Sequence, residues 1–163
     1  MELINLLTFI KHGKFGSFQL GESRDSFLYN FPSPDDFEEG DDWRDGNFEI
    51  FTYGDIEFHF YKDKLYLIFA DYFNLLDGGV SFSFEDSWIF EKEFNILTVE
   101  YVTLKLIEEK IEFSIKWSEK SLGTVLLKTK SGVELLFERK GHSECFLLMA
   151  VSVMDTSLVK HDK

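Results

Sequence analysis

Residues 48–73 read FEIFTYGDIEFHFYKDKLYLIFADYF. In the first run Phe48, Ile50 and Thr52 alternate with Glu49, Phe51 and Tyr53, and in the second Ile56, Phe58 and Phe60 alternate with Glu57, His59 and Tyr61. A period of two marks extended backbone, whose successive side chains point to opposite faces. Gly54-Asp55 supplies turn residues between these runs, and Lys62-Asp63 turns the chain into a third, Leu65–Phe73. That third run is almost wholly apolar, which predicts a central strand or one covered on both faces. The stretch therefore predicts an antiparallel three-strand meander.

Two helices are expected before it. Leu3, Leu6, Leu7 and Ile10 fall at i, i+3, i+4 and i+7, predicting a helix over residues 2–12 that Gly13 closes in a left-handed conformation. A glycine-punctuated segment, 14–21, follows. Ser23 is a good N-cap for a second helix, with Asp25 in its first turn and Phe27, Leu28 and Phe31 on one face. Pro32 and Pro34, the only prolines, stop it, and an acidic loop leads to the meander.

After the meander, Gly78-Gly79 breaks the pattern, followed by a short strand, Val80–Phe84, and a connector carrying Trp88, Phe90 and Phe94. Thr98 caps a third helix with Val99, Val102, Leu106 and Ile107 on one face. Strands are expected at Ile111–Trp117, Thr124–Lys128, Val133–Glu138 and Cys145–Val153, with Ser131-Gly132 as a hairpin turn. The fold class is α+β: one domain over residues 1–154, an antiparallel sheet of two meanders packed by three helices, with 155–163 a frayed tail.

The two hairpins resemble each other. Thr52–Phe60 (TYGDIEFHF) and Thr129–Phe137 (TKSGVELLF) align at an offset of 77 residues, with Thr, Glu and Phe shared. Two explanations fit: a degenerate duplication dividing the chain into 1–77 and 78–154, or two hairpins that arrived separately at similar residues.

Composition narrows the function. The chain has 163 residues and a net charge of −13, and its 19 Phe, 6 Tyr and 3 Trp exclude a disordered acidic tail. A chain of this length buries roughly 70% of its unfolded surface and needs no disulfide or metal to fold. The single cysteine, Cys145, cannot pair internally and fits a reducing compartment. The start of the sequence lacks a cationic, long-apolar signal pattern, and no run approaches the roughly 20 apolar residues of a membrane span. A cytoplasmic, soluble protein is expected. Negative charge disfavours nucleic acids and anionic membranes as partners.

No catalytic or metal motif stands out. His12, His59, His142 and His161 are dispersed, and no zinc spacing, nucleophile elbow, Walker loop or dinucleotide fingerprint is present. Asp41–Gly46 begins like a calcium loop, but Trp43 holds the third ligand position and Thr52 stands where the bidentate Glu belongs. No cofactor or metal is expected. The candidate catalytic centre is His59 with Glu57 and Tyr61, which alternation places on one strand face.

The strongest local signal is acidic. Asp35, Asp36, Glu38, Glu39, Asp41, Asp42 and Asp45 stand against Arg44 alone, a net of −6 in eleven residues, with Phe37 and Trp43 embedded among them. Residues 1–82 carry six basic and sixteen acidic residues, and the remainder eleven and fourteen, so the charge is concentrated in the first half. A hydrated loop explains the carboxylates. A docking surface for a basic protein explains the aromatics as well, since carboxylates steer encounter and an aromatic anchors it. The nine candidate partner-binding residues are Asp35, Asp36, Phe37, Glu38, Glu39, Asp41, Asp42, Trp43 and Asp45.

Two resemblances add to this. A helix, Leu20-Gly21-Glu22-Ser23-Arg24-Asp25, then Phe31-Pro32-Ser33-Pro34-Asp35-Asp36, Tyr53 and the meander look like the two-helix, three-strand domain of BamE-type outer-membrane-assembly lipoproteins over about residues 1–75. The family's second glycine is replaced by Pro32 or Ser33, and its lipidated cysteine is missing, so this likeness implies a topology and no envelope function. Tyr53–Phe60 and Ser131–Glu138, with size and charge, also resemble small acidic immunity proteins of contact-dependent inhibition and other polymorphic toxin systems. That likeness implies a non-catalytic protein that neutralises a basic toxin, such as a nuclease, by direct binding. The other readings are an enzyme at His59 and a self-associating structural module.

Overall fold

The computed structural model describes residues 1–40, 48–71, 76–85, 97–117, 123–139 and 145–159. In chain order they form β1 (Glu2–Ile4), α1 (Leu6–His12), α2 (Arg24–Asn30), β2 (Asp36–Gly40), β3 (Phe48–Tyr53), β4 (Ile56–Tyr61), β5 (Lys64–Ala70), β6 (Phe82–Phe84), α3 (Val99–Glu108), β7 (Phe113–Trp117), β8 (Thr124–Thr129), β9 (Glu134–Arg139) and β10 (Phe146–Met154). A 3-10 turn, Thr156–Val159, follows where a frayed tail is expected. The architecture is α+β, as the sequence patterns predict. Among the described residues no helix is long and apolar enough to cross a membrane.

Eight strands form one sheet in the order β2-β3-β4-β5-β10-β9-β8-β7. It consists of two four-strand meanders, β2 to β5 and β7 to β10, joined where Val151–Met154 run antiparallel to Leu67–Ala70. The apolar run of residues 65–70 is thus central because another strand pairs with each of its edges. The first meander has four strands, one more than the sequence pattern shows. The two hairpins that align in sequence occupy equivalent places, β3-β4 and β8-β9, but their loops differ. Gly54-Asp55 closes a two-residue turn, whereas Lys130-Ser131-Gly132 makes a three-residue loop in which Gly132 has φ +92.

One face of the sheet carries the core. In β4, Ile56, Phe58 and Phe60 are buried while Glu57 and His59 are only partly covered, and in β9, Leu135 and Phe137 are buried against partly covered Leu136 and exposed Glu138. The helices lie on the buried face. Phe9 of α1 reaches Phe58 through Phe15, with ring centroids 5.5 Å apart at each step. Phe27, the one buried side chain of α2, lies within 4.7–6.0 Å of the rings of Phe18, Phe31, Phe51, Tyr53, Phe58 and Phe60. Val99, Val102 and Leu106 of α3 complete the same cluster, while Ile107, expected on that face, is 59% exposed.

Local chemistry sets the helix ends. Ser23 and Thr98 accept from the amides of Ser26 and Tyr101, and Gly13 stops α1 at φ +69. Residues 2–4 depart from the expected helix. Asn5 is the N-cap, accepting from the Thr8 amide at 2.7 Å, and the residues before it pair in parallel with β6. Leu3 fits the helical spacing by coincidence and is 58% exposed. The β4-β5 hairpin in turn holds the start of α2. Lys62 and Asp63 both take positive φ, the Asp63 carbonyl accepts from the Arg24 amide, and Leu65 exchanges backbone bonds with Gly21 and Glu22.

The ring cluster around Phe27 makes a direct stability prediction. Phe27→Ala should cost about 3–5 kcal/mol, as large aromatic truncations in a closed core do. Tyr29→Ala, at an 89% exposed position of the same helix, should stay within about 0.5 kcal/mol. Urea unfolding of the two variants checks this; equal losses would mean that α2 is held by its backbone contacts and not by the ring.

Candidate partner-binding surface

The acidic stretch is not wholly a loop. Its first half is β2, an edge strand whose register pairs Asp36 with Thr52, Phe37 with Phe51, Glu38 with Ile50 and Glu39 with Glu49. Alternation therefore divides the candidate residues between two faces. Phe37 turns to the helix side, its ring 5.3 Å from that of Phe51, yet it remains 39% exposed. Asp36 and Glu38 turn to the opposite, open face. Asp41, Asp42, Trp43 and Asp45 lie outside the described residues.

The carboxylates have different duties. Asp35 Oδ2 accepts from the Gly54 amide at 3.0 Å, so this group clamps the β3-β4 turn. Gly54 has no alternative residue there, because a Cβ would lie 2.3 Å from the Asp77 carbonyl at a φ of +59. Asp36 Oδ1 accepts from the Phe37 amide at 2.8 Å, covering a backbone donor on the edge strand. Such protected, charged edges discourage pairing with a second copy of the same strand. Glu38 and Glu39 are exposed, and no described Lys or Arg forms an ion pair with either.

Glu39 faces another carboxylate, Glu49, directly across the strand pair. Like charges in that position repel. Burial, opposed by the Arg24 cation and reinforced by the charge of Glu39, raises the Glu49 carboxyl above its ordinary value of 4.5. Arg24 Nε lies 2.7 Å from Glu49 Oε2, close enough for an ion pair although the N–H is not aimed at the oxygen. Its guanidinium also sits 5.7 Å from the Phe51 ring centroid. Arg24 and Glu49 are thus part of the acidic edge, and only the pairing register, which composition does not encode, places them there.

Glu57 and His59 do share the open face, with Nε2 2.7 Å from Glu57 Oε2 and the imidazole edge-on to Tyr66 at 6.1 Å. Tyr61 is buried and stacks near Phe48, 4.7 Å between centroids. The pair orients a ring in mid-strand. Among the described residues no Ser, Cys or Lys is hydrogen-bonded to it, and no three His, Cys, Asp or Glu side chains are grouped to hold a metal.

The open face also carries residues the sequence reading did not single out. Phe69, Asp71, Leu136, Glu138, Met149 and Ala150, from β5, β9, β10 and the residue after β5, line a depression of about 230 Å³. Burial first, then the charges of Glu57 and Asp55, raise the Asp71 carboxyl above its ordinary value. The signal was two couplets, Phe69-x-Asp71 and Leu136-x-Glu138, which become neighbours only when β10 enters between β5 and β9. No protein-family model, curated protein or solved structure matches the chain.

Glu49 gives the acidic edge a pH signature. Because its folded-state pKa is raised, the folded form binds that proton more tightly than the unfolded chain, and ionisation costs stability as pH rises through the folded value. Glu49→Gln abolishes this dependence. The melting-temperature difference, variant minus parent, should be more positive at pH 7 than at pH 4; a difference that does not change with pH would remove Glu49 from the account.

Proposed function

We propose that the protein is a non-catalytic binding protein that docks a basic protein partner through its acidic edge, most concretely an immunity protein that neutralises a cationic toxin such as a nuclease. The observation that carries the reading is β2 itself: exposed Asp36, Glu38 and Glu39 around a partly exposed Phe37, on a strand at the edge of the sheet. An acidic loop needs no aromatic side chain and no fixed backbone to stay hydrated. Here Asp36 and Glu38 stand at strand spacing on the open face and Phe37 and Glu39 on the other, so a partner that wraps the edge strand meets steering carboxylates and an apolar anchor together. The net charge of −13 extends the attraction beyond contact range. Nuclease substrate clefts are cationic, so an acidic domain is physically suited to occlude one.

The partner is sought in the product of the adjoining reading frame, because immunity proteins are encoded beside their toxins. Stopped-flow association of the two purified proteins should slow by about tenfold or more between low salt and 0.5 M salt, as steered encounters do. Replacing Asp36, Asp41, Asp42 and Asp45 with Asn, and Glu38 and Glu39 with Gln, should slow association at low salt while leaving the far-UV spectrum of the folded domain unchanged. Absence of binding at low salt overturns the reading; an unaltered on-rate removes the acidic edge from it.

A further inference from the structure

The depression on the open face has a polarity. β5 and β9 each run antiparallel to β10 between them, so they run in the same direction. Along that direction Phe69 precedes Asp71 and Leu136 precedes Glu138. Both couplets thus present an apolar side chain first and a carboxylate two residues later, and Met149, at the irregularity in the β9-β10 register, adds an unbranched apolar chain. The result is an apolar floor with two carboxylates on a diagonal across it, Asp71 level with Leu136 and Glu138 two residues further along. Among the described residues no Lys or Arg lines it, and the neighbouring Arg139 is engaged elsewhere, 5.1 Å from the Phe146 ring centroid.

We infer that this depression receives an arginine side chain of the basic partner, its methylenes against Phe69, Leu136 and Met149 and its guanidinium between Asp71 and Glu138. The inference rests on the reading of the protein as a binder of basic proteins and adds a second, specific contact to it. An arginine suits the shape better than a point charge does. Its fork of N–H donors serves two separated carboxylates at once, its planar head stacks on aromatic rings, and its stem covers apolar surface. The crowding of negative charge around Asp71, with Glu57 and Asp55 nearby, is relieved by a cation at that place.

The position also fits a single partner. Asp36, Thr52, Glu57 and Phe69 are successive cross-strand neighbours on the open face. β2 and β5 are three strand spacings apart, about 14 Å at roughly 4.8 Å each. A partner steered to β2 therefore reaches the depression without leaving that face.

The test is a titration of the full-length, isotopically labelled protein with acetyl-Ala-Arg-Ala-amide, followed by amide chemical shifts. Saturable shifts centred on Phe69, Asp71, Leu136, Glu138 and Met149 are expected. The same peptide with citrulline, which keeps the shape and removes the charge, should bind about tenfold more weakly, the loss expected for a charge-assisted hydrogen-bond pair. Asp71→Asn combined with Glu138→Gln should weaken the arginine peptide to a similar degree. No binding, shifts centred on β2, or equal binding of the citrulline peptide overturns the inference, and the last of these does so whatever the variant does to folding. Neutralising β2 should leave this titration unchanged. Failure of the docking experiment with success here would discard the acidic edge and keep the arginine site, and the reverse pattern would do the opposite.

Discussion

The contact of Phe27 with the sheet is the constraint on which the acidic surface depends. A seven-residue helix does not persist alone in water, because nucleation costs more than so few hydrogen bonds return. α2 exists because one ring is enclosed by Phe58, Phe60, Phe51 and Tyr53, and because the β4-β5 turn holds its first residues. From there the chain has little choice. Phe31 packs on Phe27 and Phe18, the Tyr53 hydroxyl donates to the Pro32 carbonyl at 2.8 Å, and Asp35 ties to Gly54. Burial, with the charge of Asp35 beside it, pushes the Tyr53 phenol far above its ordinary range, so the hydroxyl remains a donor. These three fastenings deliver β2 to the free edge of β3.

Charge in this protein is therefore positioned by aromatic packing. Asp35, Asp55 and Asp77 each accept from backbone amides around the Gly54 and Gly79 turns, which uses them as structural ties. Asp36, Glu38 and Glu39 are carried outward on a strand instead. Arg24 is brought against this edge, and it is held there by the same short helix that contributes Phe27. The ring that anchors the fold and the cation that moderates the acidic edge are three residues apart.

Much of the architecture was legible because it is local. The alternation of β4, the turns at Gly54-Asp55 and Lys62-Asp63, the Ser23 and Thr98 caps and the Gly13 stop all depend on residues within a few positions of one another. The features that were not legible depend on distant partners. Leu3 satisfies helical spacing, and only its pairing with Ser83 makes it part of a strand. Asp36–Gly40 has a composition poor for strands and becomes one because Phe37 finds Phe51 across the pair. Of the candidate site, the carboxylates were visible as a charge run, but their division between two faces was not. The depression could not be seen at all, since β5, β10 and β9 assemble it from segments far apart in the chain.

The junction of β5 with β10 has a temporal side. The β2 to β5 meander can close its hairpins within microseconds of leaving the ribosome. The strand that completes it begins 76 residues after β5 ends, which at about 5–20 residues per second is a delay of roughly 4–15 s. Throughout that interval Leu65–Ala70, the most apolar strand of the first meander, presents an open edge with Lys64 as its only charge. The strand that becomes the middle of the finished sheet is thus its most adhesive margin during synthesis. Nascent chains on one messenger would meet there first, and a holding chaperone would have the most to shield at that edge.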